Sequence, residues 1–316
     1  MIPVLSSADI RPFLDIQNLI PTAKTAFQAI SNGDVQTPVH VLHLNERADM
    51  HIKSATLPDC PIFTVKMAGW SGVLADQGLP TSSGMIAVFD SATCKPLAIL
   101  CDDHLISDYR TAAAGAYVAQ ILAPKSASSA VVIGTGIQAG LQIEALLHVR
   151  AIKQVHIWGR SAAKALALKT NLQRKFPDVD FYVATDLANV VPQTDVIIAA
   201  TGAKKPILRS EWVRPGQHIT SVGSDDATKC EIDPVILKSA NVYVDAISSA
   251  QRFGAPHHAI AAGFITASEL IEIGEVGISC AANPDGPTLA CLSGLGIQDL
   301  TAVASFWDKL RHNLTA

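Results

Sequence analysis

The stretch Ser129–Leu146, SAVVIGTGIQAGLQIEAL, runs from a short apolar strand through a glycine turn into an apolar-periodic helix without a break. That order of elements suits the pyrophosphate of a dinucleotide. Gly134 permits the tight turn after the strand Val131 to Ile133, Gly136 lets the main chain approach the phosphates, and Ala139 is small enough for the helix to pack on the strand. The helix start adds free N–H groups and the positive end of a dipole. Thr135, Ile137 and Gln138 therefore join Gly134, Gly136 and Ala139 in the expected cofactor-binding segment. A glycine pattern by itself also fits an ordinary strand-to-helix turn; the second strand that follows at the right interval favours the nucleotide.

Outward from this segment the chain has two textures. Before it, the helix PTAKTAFQAISNG is bracketed by Pro21 and Gly33, as an N1 proline and a C′ glycine would bracket it. The strand candidates VHVLHL, ADMHIKSATL, IFTVKMAGW, MIAVFD and PLAILCD then follow with short turns and no helices between them, predicting an antiparallel or mixed sheet. From Ser107 onward helices alternate with strands: YRTAAAGAYVAQIL, SAVVIG, QAGLQIEALLHV, QVHIWG, SAAKALALKTNLQRKF, DFYVA, DVIIAAT, HITSVGS and NVYVD. Such alternation predicts βαβ units and a parallel sheet. The final segment, GIQDLTAVASFWDKLRHNL, reads as one amphipathic helix that returns to the first domain. The predicted architecture is α/β: a Rossmann-type domain over residues 115–288, and a smaller α+β domain over residues 1–114 together with 289–316. A cleft between two such lobes is where a substrate would meet a cofactor.

Composition narrows the function class. The 316 residues, 49% hydrophobic, are enough for two cores. A net charge of −4 gives no basic footprint for nucleic acid, and no run approaches the roughly 18 to 20 apolar residues of a membrane span. The N-terminal MIPVLSSADIRPFL lacks the basic and apolar regions of a secretory signal. Cys60, Cys94, Cys101, Cys230, Cys280 and Cys291 show neither CxxC spacing nor paired histidines, so reduced thiols, no metal and a cytoplasmic location are expected.

The residue ending the second dinucleotide strand decides the coenzyme, since Asp or Glu there binds a ribose 2′-hydroxyl and Arg accepts a 2′-phosphate. Here QVHIW ends in Gly159-Arg160-Ser161, with no carboxylate. Arg160 could form charge-assisted bonds to phosphate and Ser161 could add a hydroxyl, although Arg160 also fits a solvated surface residue. NADPH is expected ahead of NADH, which the site would still admit. Thr201, closing DVIIAAT, is a further expected cofactor contact.

Other charged residues are ambiguous when taken singly. Arg110 opens the predicted helix YRTAAAGAYVAQIL, where its guanidinium would meet an anion or simply face solvent. Lys66 stands in an otherwise apolar strand, as a buried charge or a solvated side chain. Asp225 follows Gly223 and Ser224 at the carboxyl end of a predicted parallel strand, the ligand-binding edge of open α/β sheets. It also fits a turn cap, and Asp226 competes for either role.

Three segments, FTVKMAGW around Lys66, SDYRTAAAGA around Arg110 and SVGSDDATKCEID around Asp225, together with the glycine turn, resemble the ornithine cyclodeaminase/mu-crystallin family. The resemblance covers almost the whole chain in order, and its most specific part is the Arg-Thr-Ala-Ala element. It implies a homodimer formed through the first domain, Lys66 and Arg110 holding a substrate carboxylate, and Asp225 as the catalytic Asp, which would stabilise the substrate's iminium cation or carry its proton. The chain also departs from the family pattern. His40 in TPVHVLHL stands where an Arg would help hold the carboxylate, and Lys53, thirteen residues before Lys66, stands where cyclodeaminases carry a Glu that manages the substrate's amines. A lysine there would repel ornithine's distal ammonium. The second-strand carboxylate suited to a recycled NAD is missing as well.

The expected reaction is therefore net reduction of a small cyclic imino acid. NAD(P)H would deliver hydride to C2 of Δ1-pyrroline-2-carboxylate, giving L-proline, or of the piperideine homologue, giving L-pipecolate. Arg110, Lys66, His40 and Lys53 would bind substrate, Asp225 and Lys66 would serve the chemistry, and His51 is a further polar neighbour. The alternatives are an ornithine cyclodeaminase, an alanine dehydrogenase and a mu-crystallin-like NADPH-dependent binding protein.

Overall fold

In the computed structural model the described residues are 2–33, 35–276 and 286–315, and they form two units, Met1–Arg110 with Leu295–Ala316, and Thr111–Gly294. The divisions lie at 110/111 and 294/295 rather than at 114/115 and 288/289. A strand at Thr288–Cys291 explains the second shift, because it is hydrogen-bonded into the larger unit's sheet.

The first unit contains strands β1 (Val4–Ser6), β2 (Val39–Asn45), β3 (Ala48–Ala55), β4 (Ile62–Ser71), β5 (Ser82–Asp90) and β6 (Pro96–Cys101). They lie in the order β1-β6-β5-β4-β3-β2. All neighbours are antiparallel except β1 and β6, so the sheet is mixed. Burial alternates along β4 and β6, the second half of β3 and the middle of β5, as a sheet with one covered face requires, while the edge strand β2 buries no residue. In β4, Ile62, Thr64, Lys66 and Ala68 are buried while Phe63, Val65 and Met67 are half-exposed. The helix Gly296–Thr315 packs on β3 and β4 and against the helix Ile16–Ser31. Ile16, Leu19, Ala23, Ala26 and Phe27 form the latter's buried stripe at helical spacing. This helix starts five residues before Pro21, capped by Asp15, whose carboxylate accepts the Asn18 N–H at 3.0 Å. Pro21 is thus inside the helix, not at its first position, while Gly33 supplies the left-handed turn after it (φ +76°).

The second unit is an all-parallel sheet of β7 (Ser129–Ile133), β8 (Gln154–Trp158), β9 (Asp180–Val183), β10 (Val196–Ala199), β11 (His218–Ser221), β12 (Asn241–Val244), β13 (Ile271–Glu272) and β14 (Thr288–Cys291). Its order is β13-β12-β14-β11-β10-β7-β8-β9. Every residue of β10, β11 and β12 is buried, the pattern of strands covered on both faces. The chain leaves β7 toward β8 and β9 on one side and returns through β10 and β11 on the other. The strand order therefore reverses between β7 and β10, and the carboxyl ends at such a reversal are where doubly wound sheets bind ligands.

Candidate active site

At that reversal the main chain itself is shaped as a cradle. Gly134 has φ +136°, and a Cβ on it would lie 2.4 Å from the Ala200 carbonyl oxygen. Only glycine fits. Its N–H donates to the Trp158 carbonyl at 2.8 Å, tying the turn to the end of β8. Gly136 caps the helix Ile137–Val149 with extended backbone, and a Cβ there would meet nothing within 4 Å. The space beside it is open to a ligand, and the first-turn N–H groups around Ile137 and Gln138 have no carbonyls of their own helix to bond. Ala139 is fully buried, and that helix carries no acidic residue in its first turn. Gly159 closes against Thr135, whose Cγ2 a Cβ would approach to 2.5 Å. These features fit a dinucleotide pyrophosphate.

Arg160 is exposed at the end of β8, and the Ser161 hydroxyl oxygen caps the helix Ala162–Lys175 by accepting the Lys164 N–H at 3.3 Å. Thr201 is engaged within the protein: its N–H and hydroxyl both donate to Glu231 Oε2, at 2.7 and 2.9 Å. The Ser221 hydroxyl and the Gly223 N–H bond the other oxygen, Oε1, at 2.7 and 2.8 Å. Glu231 thus locks the ends of β10 and β11 together. Burial pushes its carboxyl above the usual range against these four donors. Asp225 is partly exposed and takes an ion pair with Lys229 Nζ at 2.5 Å. Asp226 makes the turn instead, accepting from the Thr228 and Lys229 N–H groups at 2.6 and 3.0 Å.

The first unit holds a second constellation. Lys53, Lys66 and Arg110 are 5, 4 and 6% exposed, and Asp299 is 0% exposed. The register places Lys53 directly across from Lys66 on the covered face of the sheet. Lys66 Nζ is 2.7 Å from Asp299 Oδ2 and donates to the Ser107 hydroxyl at 2.8 Å. Arg110 donates through Nε to Asp299 Oδ1 at 2.8 Å, through Nη1 to Gln298 at 2.9 Å and through Nη2 to Ser107 at 3.2 Å. Burial brings Lys66 down to about 7, with Asp299 opposing and Arg110 and Lys53 reinforcing the shift. Burial alone would raise Asp299, but Arg110 and Lys66, helped by Lys53, hold it at about 2. Arg110 uses three of the five N–H groups of a guanidinium. The site can therefore receive an anion on prepositioned cations.

Two expectations change here. The helix Leu105–Leu122 begins before Arg110, which is held by Asp299, Gln298 and Ser107 rather than by a place at the helix start. His40 pairs with Ile52, one residue out of phase with Lys53, so it lies on the opposite face of the sheet from Lys66 and is exposed. It does not join the cations. His51, two residues from Lys53, does share their face and is buried 3.5 Å from Asp49. Asp299, Gln298, Ser107 and Glu231 are absent from the sequence reading. Only Ser107 leaves a local signal, one helical turn before Arg110.

The five described cysteines are free thiols and Cys280 lies outside the described residues. Among the described residues no cluster of His, Cys, Asp or Glu could hold a metal, and no helix is long and apolar enough to cross a membrane.

The family model for the ornithine cyclodeaminase/mu-crystallin family matches residues 3–313. A Rhizobium meliloti protein, provisionally named a dehydrogenase, is 36% identical over 312 residues, covering 96% of this chain and 93% of its own. A Delta(1)-pyrroline-2-carboxylate reductase of Colwellia psychrerythraea is 29% identical over 317 residues, covering 97% of this chain and 99% of its own. The structure of the Thermococcus litoralis Delta(1)-pyrroline-2-carboxylate reductase, solved with NADH and L-proline, superposes with a TM-score of 0.91 at 24% identity, covering 99% of this chain and 98% of the other.

Proposed function

The chain belongs to the ornithine cyclodeaminase/mu-crystallin family, and from that premise we propose that it is an NAD(P)H-dependent reductase of cyclic ketimines, with Δ1-pyrroline-2-carboxylate and its piperideine homologue as substrates. The observation that carries this reading is the buried pairing of Lys53 with Lys66 across β3 and β4. Two buried lysines beside Arg110 favour a carboxylate over the distal ammonium that an ornithine cyclodeaminase must accommodate. The Colwellia relative's name agrees with reduction.

Arg110 and Lys66 orient the carboxylate of the substrate, each already fixed by Asp299 and Ser107. Fixing both partners in advance lowers the entropic part of the barrier. The Gly134–Ala139 turn holds the pyrophosphate, and a bound nicotinamide coenzyme supplies hydride to C2. Reduction is easiest on the iminium, so the imine nitrogen must carry a proton. Asp225 is assigned to stabilise that cation through its carboxylate oxygens, and Lys229, its present ion-pair partner, then shares or releases the group. Lys66, poised near neutrality, is both anchor and proton reservoir. Arg160 and the missing carboxylate after β8 support NADPH over NADH, and Thr201 contributes indirectly through Glu231.

The second face of the six-stranded sheet supports a homodimer. Ile52, Val65, Met67 and Met85 leave it half-exposed and apolar, and Val4 and Leu42 are exposed beside them. The free thiols and the coenzyme fit a cytoplasmic enzyme.

Coenzyme oxidation is followed with Δ1-pyrroline-2-carboxylate and with pyruvate plus ammonia, while ornithine is assayed separately for ammonia release. The proposal expects oxidation with the cyclic imine. No oxidation there refutes it, and ammonia release from ornithine without coenzyme consumption establishes the lyase instead.

A further inference from the structure

The buried Ser107 hydroxyl bridges the two cations that anchor the carboxylate. Lys66 Nζ donates to its oxygen at 2.8 Å and Arg110 Nη2 at 3.2 Å. A hydroxyl oxygen has two lone pairs, and the cations take both. Its own proton therefore points away from them, and no acceptor for that proton lies among the described residues. Gln298, on the other side of Arg110, repeats the pattern. Its amide oxygen accepts from Arg110 Nη1 at 2.9 Å and from the Leu295 N–H at 3.0 Å, which fixes the orientation of the amide, and its buried Nε2 has no acceptor. The anchor is thus completed by a ligand that brings acceptors of its own.

The turn that delivers Ser107 is built at a cost. Asp103 and His104 both have left-handed backbone, φ +49° and +71°, a conformation unfavourable for residues other than glycine. Asp102 then caps the helix Leu105–Leu122 by accepting the Ile106 N–H at 2.8 Å, which fixes the first turn where Ser107 stands.

We propose that Ser107 is a catalytic residue that relays a proton from Lys66 to the imine nitrogen of the substrate. This inference rests on the reductase reading and supplies its proton donor. In a 2-carboxy ketimine only the carboxyl carbon and C2 separate the carboxylate oxygens from the ring nitrogen, so a carboxylate seated on Lys66 and Arg110 brings the nitrogen lone pair to the hydroxyl between them. The Oγ–H bond breaks as the new N–H bond forms, and the Lys66 ammonium group passes a proton to Oγ. Serine is restored, and Lys66 is left as a neutral amine that solvent reprotonates. C2 gains the hydride that NAD(P)H loses in becoming NAD(P)+, and the π pair of the C=N bond becomes the lone pair of the amine. Arg110 cannot lend the proton, because a guanidinium does not deprotonate in proteins. Lys66 can, since burial has brought it to about 7.

An iminium whose charge is permanent needs no such proton. Wild type and Ser107→Ala are therefore compared on Δ1-pyrroline-2-carboxylate and on its N-methyl iminium derivative, both with saturating coenzyme. The ratio of kcat on the imine to kcat on the N-methyl iminium is expected to fall about a hundredfold in the variant, the usual worth of a positioned proton donor. Ser107→Thr, which restores a hydroxyl, should recover the ratio. An unchanged ratio in Ser107→Ala overturns the inference, whether both rates fall together or neither falls. Ser107→Gly, which also lacks the hydroxyl, takes its place if Ser107→Ala does not fold. If the methyl group bars the derivative from the wild-type protein, pH decides: the deficit of the variant on the imine should shrink as acid protonates the substrate in solution, and a deficit independent of pH overturns the relay. No reduction of the cyclic imine by the wild-type protein would refute the reductase reading and this inference with it, whereas reduction without the selective loss would refute this inference alone.

Discussion

Strands β10, β11 and β12 of the larger sheet are buried at every residue, whereas β4 of the smaller sheet buries alternate residues and places Lys66 among them. The first arrangement brings main-chain atoms to the ligand edge, through a glycine turn that excludes side chains. The second brings charged side chains into the core, where the neighbours around them set their charge. A backbone site is broken by adding an atom, and a side-chain site by removing a charge.

The largest effect should come from the side-chain site. Asp299→Ala leaves Lys66 and Arg110 buried without their carboxylate, and should cost about 3–5 kcal/mol of stability in urea unfolding. Its pH dependence gives a second check. The cations hold the Asp299 carboxyl at about 2, so the stability it contributes is complete above the ordinary carboxylate range and lost as pH falls through about 2. The variant should lack that acid limb. An unchanged unfolding midpoint would remove Asp299 from the centre of the cluster.

Gly134→Ala should come next, at about 2–4 kcal/mol from backbone strain and overpacking together. A Cβ at φ +136° meets the Ala200 carbonyl. Coenzyme binding, read by quenching of protein fluorescence, should disappear in whatever protein folds. Retained binding would show that the turn is not the pyrophosphate cradle.

These two positions also show which parts of the molecule were legible in the sequence. Gly134, Gly136 and Ala139 belong to one contiguous turn, so spacing alone placed them. Arg110 and Asp299 are 189 positions apart, and no local pattern announces a carboxylate buried in the helix Gly296–Thr315. Lys66 and Lys53 were legible as residues, but their opposition depended on the β3–β4 register. His40 shows the converse: it sits in the expected strand, yet one residue of register turns it to the other face. The strands β1 and β13 carry too few residues to show any periodicity, whereas β14, as long as β9 to β12, went unread because TLAC has one β-branched and no aromatic residue.

A smaller effect is kinetic. Lys66 binds an anion only as the ammonium ion, and burial has brought its pKa to about 7. For the free enzyme, kcat/KM should therefore be high below that pH and fall above it, and Lys66→Arg should move the alkaline limb to higher pH. A limb that stays in place would assign it to another group.

The smallest change concerns coenzyme choice. Arg160→Ala, at an exposed position, should leave stability unchanged and lower the NADPH/NADH ratio of kcat/KM by about tenfold, the worth of one charge-assisted phosphate contact. An unchanged ratio would mean that the guanidinium faces only solvent.

The central claim, net hydride delivery to the imine carbon, is tested most directly by isotope transfer. Reduced coenzyme carrying deuterium at both C4 positions of the nicotinamide ring is incubated with the enzyme and Δ1-pyrroline-2-carboxylate, and the product is read by mass spectrometry. The account predicts L-proline carrying one deuterium at C2, in amounts matching the coenzyme oxidised. Unlabelled proline, or none, would contradict it.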